Sequence, residues 1–293
     1  MIDFTKYPTL KKSYAGANGS KISVLYHGEI WMVKFPSIAK LNDKIHYANS
    51  CVSEYLGCHV FNILGVPAQE TLLGTYYSGK KEKLVVACKD FTADGRVLQD
   101  FASLKNQMID SERSGYGTEL SDVVSTLDEQ SLFDRKTLKR HFWDMFIIDA
   151  LIGNWDRHNG NWGFLYDYRT DSLEIAPVFD CGSSLFPQAD PKLMEKIISD
   201  RNETNDRVYN RPLSALQIQG RKINYFDFIF SLENNDCNDA LKRITPKIDL
   251  SRINEMIEEI PSISDIQIRF YEHILQQRKE KILDQAYKKL VES

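Results

Sequence analysis

The sequence predicts an α+β chain in two lobes, a small β-rich lobe over residues 1–91 and a larger, mainly helical lobe over residues 92–293. Three observations predict it. Up to residue 91, short β-branched and aromatic runs alternate with turn residues, and one segment of helical period interrupts them. After Asp94-Gly95 the apolar residues recur mostly at helical spacing. With 293 residues, the chain is long enough to bury about three quarters of its unfolded surface without a disulfide or metal staple.

In order along the chain, residues 21–26 and 30–35 are the first strand pair, turned by His27-Gly28-Glu29. Residues 49–64 place Val52, Tyr55, Leu56, Val60 and Leu64 near helical spacing, and Gly65 follows where a C-cap belongs. Residues 70–77 and 82–88 form a second pair around Ser78-Gly79-Lys80. Residues 103–114 read as a polar helix, and 113–117 as a flexible loop. Residues 132–153 are the most apolar helix, with Phe142, Phe146, Ile147, Ala150 and Leu151 in its stripe. A Gly- and Asn-rich stretch, 153–163, ends it, and two short strands follow at 162–166 and 173–175. From Asp190 most segments read as helical. Ser264-x-x-Gln267 fits a capping box that opens a terminal helix reaching about residue 290.

Composition excludes several function classes. Lys and Arg number 37 against 41 Asp and Glu, a net charge of −4, so no basic field invites nucleic acid or an anionic bilayer. Five cysteines (51, 58, 88, 181, 237) include no Cys-x-x-Cys pair and read as free buried thiols rather than a zinc site. The first residues lack a signal pattern and no apolar run approaches 18 residues, which predicts a cytoplasmic protein with no membrane insertion.

The densest polar cluster is Gly153-Asn154-Trp155-Asp156-Arg157-His158-Asn159-Gly160-Asn161-Trp162. Asp and Asn suit a helix-ending loop, but their spacing adds chemistry. Asp156 and Asn161 stand at the Asp-x-x-x-x-Asn interval of a protein-kinase catalytic loop. There the Asp accepts the proton of the attacking hydroxyl and the Asn amide oxygen holds magnesium. Asp180, in Phe179-Asp180-Cys181-Gly182, follows two predicted strands, where a kinase keeps its metal-holding carboxylate. Lys34 lies inside the apolar strand Trp31-Met32-Val33-Lys34-Phe35. Upstream is the glycine-containing loop Tyr14-Ala15-Gly16-Ala17-Asn18-Gly19-Ser20-Lys21, an order that sets a cation and backbone N–H groups over a triphosphate. Glu54, on the next helix, is the candidate ion-pair partner of Lys34, with an ordinary surface-helix position as the alternative. Residues 74–81 nearly spell a nucleotide-binding motif, but Lys81 replaces the magnesium-binding hydroxyl, so the stretch reads as a hairpin. A divalent-metal hydrolase site from His141, His158, Asp156 and Asp180 is a competing arrangement, weakened by the lack of a His pair at i, i+4.

Taken together, Leu151-Ile152-Gly153-Asn154-x-Asp156-x-His158-x-x-Asn161 and Pro177-x-Phe179-Asp180 closely resemble the core of HipA-like serine/threonine kinases. Tyr14-Ala15-Gly16-Ala17-x-x-x-Lys21 is similar to that family's phosphate loop, and Val33-Lys34-Phe35-Pro36 to its lysine strand. Ser53-Glu54-Tyr55-Leu56, then Leu64-Gly65-Val66-Pro67, resembles its first helix and exit. The likeness covers residues 13–187. It implies a two-lobed protein-kinase-like fold with ATP between the lobes and transfer to Ser/Thr hydroxyls of a protein substrate. It implies Asp156 as catalytic base, Asn161 and Asp180 as magnesium ligands, and Lys34 on the ATP phosphates. It further implies nucleotide contacts from Gly16, Ala17, Asn18, Gly19, Ser20, Lys21, Glu54 and His158. Val86, Ala87 and Cys88 would be a hinge whose backbone meets adenine, and Ser13 and Ser20 candidate autophosphorylation sites. The N-terminal subdomain of the longer toxin kinases is not recognisable here, which argues against an antitoxin partner. The compact size resembles that of a secreted bacterial member, so export is an expectation from resemblance alone. Asp156-Arg157-His158-Asn159 also resembles the catalytic loop of phosphoinositide kinases. A lipid or small-molecule kinase is therefore the first alternative, and a catalytically inactive interaction module the second.

Overall fold

A computed structural model describes residues 1–14, 20–38, 46–108, 114–261 and 263–292. The first lobe contains β1 (Ile2–Asp3), β2 (Thr9–Leu10), β3 (Lys21–Tyr26) and β4 (Glu29–Lys34), then a short pair, β5 (Ser37–Ile38) with β6 (His46–Tyr47). Helix α1 (Ser50–Ile63), β7 (Thr71–Ser78) and β8 (Lys81–Lys89) follow. Among the described residues six strands form one sheet in the order β1-β7-β8-β4-β3-β2. The β3–β4 turn is tighter than expected. Tyr26 pairs with Glu29, and His27 and Gly28 take φ of +50° and +80°, values that match the right-handed twist of a two-residue hairpin. Residues 74–81 are the expected hairpin, Ser78 pairing with Lys81.

One face of the sheet buries Phe4, Val24, Trp31, Val33, Val85 and Ala87. On the other, Val86 and Cys88 meet Cys51 of α1. The opposite side of α1, with Val52, Leu56, Val60 and Phe61, belongs to the large core of the second lobe, so this helix joins the two bodies.

The second lobe opens with β9 (Val97–Asp100), α2 (Phe101–Met108), α3 (Leu120–Glu129) and α4 (Arg135–Ile152). Next come β10 (Gly163–Asp167), β11 (Ser172–Ile175), α5 (Pro191–Ser199) and α6 (Arg201–Asn205). A hairpin of β12 (Leu213–Ile218) and β13 (Arg221–Asn224) precedes α7 (Tyr225–Ser231), α8 (Asn235–Ile244), α9 (Leu250–Glu258), α10 (Asp265–Arg278) and α11 (Gln285–Glu292). Every residue of α4 from Phe142 to Ile152 is buried, which makes it the central helix. Asp134 caps its start by accepting from the Thr137 N–H at 2.8 Å, and Gly153, at φ +62°, ends it.

Several expectations change. The two predicted strands gain a third, β9, in the order β11-β10-β9. The helical stretch after Asp190 is interrupted by the β12–β13 hairpin. The polar helix begins at Phe101, and residues 109–113 lie outside the described residues. The Ser264–Gln267 capping box is present, but its helix widens to π-type turns over Lys279–Asp284 before α11. The five cysteines are free and buried. Among the described residues no helix is long and apolar enough to cross a membrane.

Candidate active site

Lys34 ends β4, an interior strand between β3 and β8, rather than a solvated edge. Its Nζ lies 3.0 Å from Glu54 Oε1 and 3.0 Å from Asp180 Oδ1. Glu54 is 2 % exposed, so the surface-helix alternative for it falls. Burial alone would lower the Lys34 pKa, but the carboxylates of Asp180 and then Glu54 more than reverse it and hold the ammonium well above its ordinary range. The Lys34 charge in turn lowers the Asp180 pKa against its burial. Asp180 sits at φ +59°, a conformation that Asp tolerates better than most residues. Gly182 lies close to this pair: a Cβ there would stand 3.0 Å from Glu54 Oε2 and would crowd it.

The loop that carries Asp156 and Asn161 follows directly on α4. The Asn161 amide nitrogen donates to the Asp156 carbonyl at 2.8 Å, which fixes the amide so that its oxygen is left as an acceptor. Burial raises the Asp156 pKa, and the Asp180 charge adds to it. His158 Nδ1 accepts from the Gly160 N–H at 3.0 Å, closing the turn between them.

Arg157 holds this loop to the segment that carries Asp180. Its Nη1 donates to the carbonyls of Asn161, at 2.8 Å, and of Phe179. Its Nη2 reaches Cys181 Sγ at 3.3 Å, its Nε pairs with Asp149 of α4, and the guanidinium lies over the Phe61 ring. The side chains offered for catalysis therefore converge from β4, the loop after α4 and the loop after β11.

Residues 12–263 match the family model described as HipA-like C-terminal domain. The chain belongs to this family. The HipA-like kinase is 49 % identical over 293 residues to the serine/threonine-protein kinase CtkA of Helicobacter pylori, covering 99 % of this chain and 89 % of the relative. It also matches the crystal structure of the H. pylori proinflammatory kinase CtkA with a TM-score of 0.92, 48 % identity and 99 % of both chains covered. HipA of Shewanella oneidensis, solved with HipB and operator DNA, matches with a TM-score of 0.56 at 14 % identity, over 96 % of this chain and 67 % of that one, a likeness of fold alone.

Not every expected site residue of the HipA-like kinase stands where expected. Gly16, Ala17, Asn18 and Gly19 lie outside the described residues. Ser20 is exposed, and its carbonyl accepts from the Phe35 N–H at 3.1 Å. Lys21 pairs directly across from Lys34, so two cations share one face of the sheet. Burial lowers the Lys21 pKa and the Lys34 charge lowers it further.

The hinge needs correction. Val86 pairs with Lys34 on one side and Leu73 on the other, Ala87 with Val33 and Leu72, and Cys88 with Met32 and Thr71. Their backbone groups are consumed by ladders on both edges and are not available to a base. The ladder ends at Lys89, the Asp90 N–H makes one more bond to the Ile30 carbonyl at 2.9 Å, and the chain then leaves the sheet in turns over residues 91–95.

Sequence reasoning missed that segment's anchor. The buried Asp90 carboxylate accepts from Tyr14 Oη at 2.7 Å and Thr92 Oγ1 at 2.6 Å, with Lys12 Nζ at 2.5 Å. Lys12 and Tyr14 precede the glycine-containing stretch in sequence, so the chain just before it is fastened to the segment after β8. Of the loop expected to be flexible, residues 114–117 are described and are also pinned: Asn159 Nδ2 donates to the carbonyls of Gly115 and Gly117, both at 2.8 Å. Such contacts carry no signal in a spacing. Hydrogen-bonding side chains concentrated around Asp156 were the nearest clue.

Proposed function

We propose that this HipA-like kinase transfers the γ-phosphate of ATP to serine and threonine hydroxyls of proteins, with Asp156 as base and Asn161 and Asp180 holding magnesium. The observation that carries the reading is the convergence around Asp180, whose carboxylate meets Lys34 while Arg157 ties its loop to the one bearing Asp156 and Asn161.

Magnesium suits these donors. Asp180 gives one oxygen to Lys34 and keeps the other, and Asn161 keeps its amide oxygen, an all-oxygen set of the kind a hard cation takes. When bound, the ion would neutralise charge on the transferred phosphoryl group. Lys34 and Lys21, adjacent cations on one sheet face, bind the phosphates, and an anion between them relieves their mutual repulsion. Asp156 orients the acceptor hydroxyl and takes its proton, with a carboxylate raised by burial toward the pH at which a base works best. Adenine meets the segment after Lys89, where the rings of Phe91 and Phe179 stand 5.8 Å apart. Ser13 and Ser20, both exposed beside the phosphate loop, are the first places to seek self-phosphorylation.

The test is incubation with labelled ATP and magnesium beside Asp156→Asn, followed by mass spectrometry. Phosphoserine or phosphothreonine in the active chain alone supports the reading. Nucleotide binding with transfer only to lipid or small alcohols would replace it.

A further inference from the structure

The β12–β13 hairpin has no part in the nucleotide side, yet it stands on the rim of the catalytic loop. Tyr225, the first residue after β13, donates its hydroxyl to the Asn154 carbonyl at 2.6 Å. The Gln217 N–H donates to the Thr118 carbonyl at 2.8 Å, next to the Gly115 and Gly117 carbonyls that hold Asn159. The hairpin and residues 115–118 are thus tied to the loop on both flanks of Asp156, at Asn154 and at Asn159.

Side-chain alternation decides what the hairpin shows. Ile223 is buried in the core, so its neighbour Lys222 points the other way and is exposed. Residues 217–222 read Gln-Ile-Gln-Gly-Arg-Lys, without an acid, in a chain of net charge −4. The adjacent acid, Glu119, spends its carboxylate on the N–H groups of Gln219 (2.6 Å) and Gly220 (3.0 Å). Among the described residues neither Arg221 nor Lys222 forms an ion pair. The Lys222 charge also reaches Asp156, where it offsets part of the effect of burial. Beside it, Tyr116 is 52 % exposed, with its ring centroid 6.4 Å from that of His158.

We propose that this hairpin is the acceptor side of the active site, and that Lys222 selects polypeptides with an acidic side chain next to the phosphorylated hydroxyl. The inference rests on the protein-kinase reading and adds the substrate's chemistry to it. A segment laid across Tyr116 would present its hydroxyl to Asp156 and its flanking carboxylate to Lys222, a charge match that favours encounter and fixes register.

The experiment uses three serine peptides of equal length, flanked on both sides of the serine by Glu, Gln or Lys. The wild-type chain is expected to show about fivefold lower KM for the Glu peptide than for the Gln peptide, the size of an exposed ion pair, with similar kcat. Lys222→Ala should abolish that preference and Lys222→Glu should reverse it toward the Lys peptide, both with unchanged KM for ATP. High salt should shrink the preference. Equal preference in wild type and variants overturns the inference while leaving the kinase reading intact. An equal loss of kcat on all three peptides also overturns it, because Lys222 would then act on the phosphoryl group. If no peptide is phosphorylated, fluorescence anisotropy of the labelled peptides decides the point separately. Tighter binding of the Glu peptide, lost in Lys222→Glu, sustains the inference, and equal or no binding overturns it.

Discussion

Arg157 and Asp149 form a buried two-point ion pair, Nε to Oδ2 at 3.0 Å and Nη2 to Oδ1 at 3.3 Å. Burial raises the Asp149 pKa and the Arg157 charge opposes that rise. The pair orients the guanidinium so that its remaining nitrogen serves two loops at once, through the carbonyls of Asn161 and Phe179. A single planar fork thereby ties the loop bearing Asp156 and Asn161 to the Asp180 segment.

Arg157→Lys keeps the charge and loses the fork, which one ammonium cannot replace. The expected outcome is a folded chain with kcat down about 10²-fold, the scale of a small misplacement of reacting groups. Arg157→Ala strands the Asp149 carboxylate, and stability should fall by about 3–5 kcal/mol. Thermal unfolding together with steady-state rates checks both, and a full-rate Arg157→Lys would remove the positioning role.

Asp156→Asn should lower transfer by about 10²–10⁴-fold, the usual contribution of a general base, with nucleotide binding retained. Asp180→Asn should abolish transfer and also weaken the magnesium dependence of nucleotide binding, because the lost carboxylate is a proposed metal donor. Calorimetric titration of nucleotide with and without magnesium separates the two roles. Near-normal turnover in either variant would exclude that residue from the mechanism.

The groups proposed for catalysis could be picked out of the sequence because they sit close together along the chain. Asp156, Asn161 and Asp180 lie around two short strands, and Lys34 lies in a hairpin of β-branched residues. Glu54 was legible as a partner because α1 has a clear period. The hinge was misplaced by a physical ambiguity: a run such as Val85-Val86-Ala87-Cys88 is apolar whether it lies mid-sheet or beside a ligand, and only pairing on both edges shows that its backbone is spent. β9 and the β12–β13 hairpin were missed because four to six residues are too few to establish a period against helical neighbours. Arg157 read as a loop residue, since nothing in its spacing reveals that Asp149, in the last turn of α4, is its partner.

Lys34→Met leaves the buried Glu54 without its counter-ion, and stability should drop by about 3–5 kcal/mol along with loss of transfer. Adding Glu54→Gln should restore most of the stability and none of the transfer. The sign with pH follows from the raised Lys34 pKa: the pair's contribution is fully present below the ordinary lysine value of 10.5 and is lost as pH rises through the higher folded value. Denaturant melts of the single and double variants at neutral pH decide it. No recovery in the double variant would mean that Lys34 stabilises by packing rather than by charge.

Gly115 stands at φ +78°, and a Cβ there would lie 1.8 Å from the Ala102 carbonyl oxygen. Gly115→Ala must move the loop that accepts both Asn159 hydrogen bonds, and so should loosen the outer side of the catalytic loop. The expected result is a fall of about tenfold or more in kcat with unchanged nucleotide affinity, since the nucleotide side is held by separate contacts. Hydrogen exchange at residues 115–118 and 159–161 should rise together. Exchange rising at the first segment alone would show that the two are not coupled.

The acid limb of the rate profile tests the base. Asp156 must be ionised to accept a proton, and burial, with the Asp180 charge behind it, raises its pKa above the ordinary 3.8. The rate on the Gln-flanked peptide should therefore fall as pH drops through that raised value, not through 3.8. Lys222→Ala removes a nearby cation that favours the ionised form, so the limb should move further up in pH while the plateau rate holds. A limb that stays in place in Lys222→Ala would mean that its controlling group is not Asp156, and the base would then be sought elsewhere in the loop.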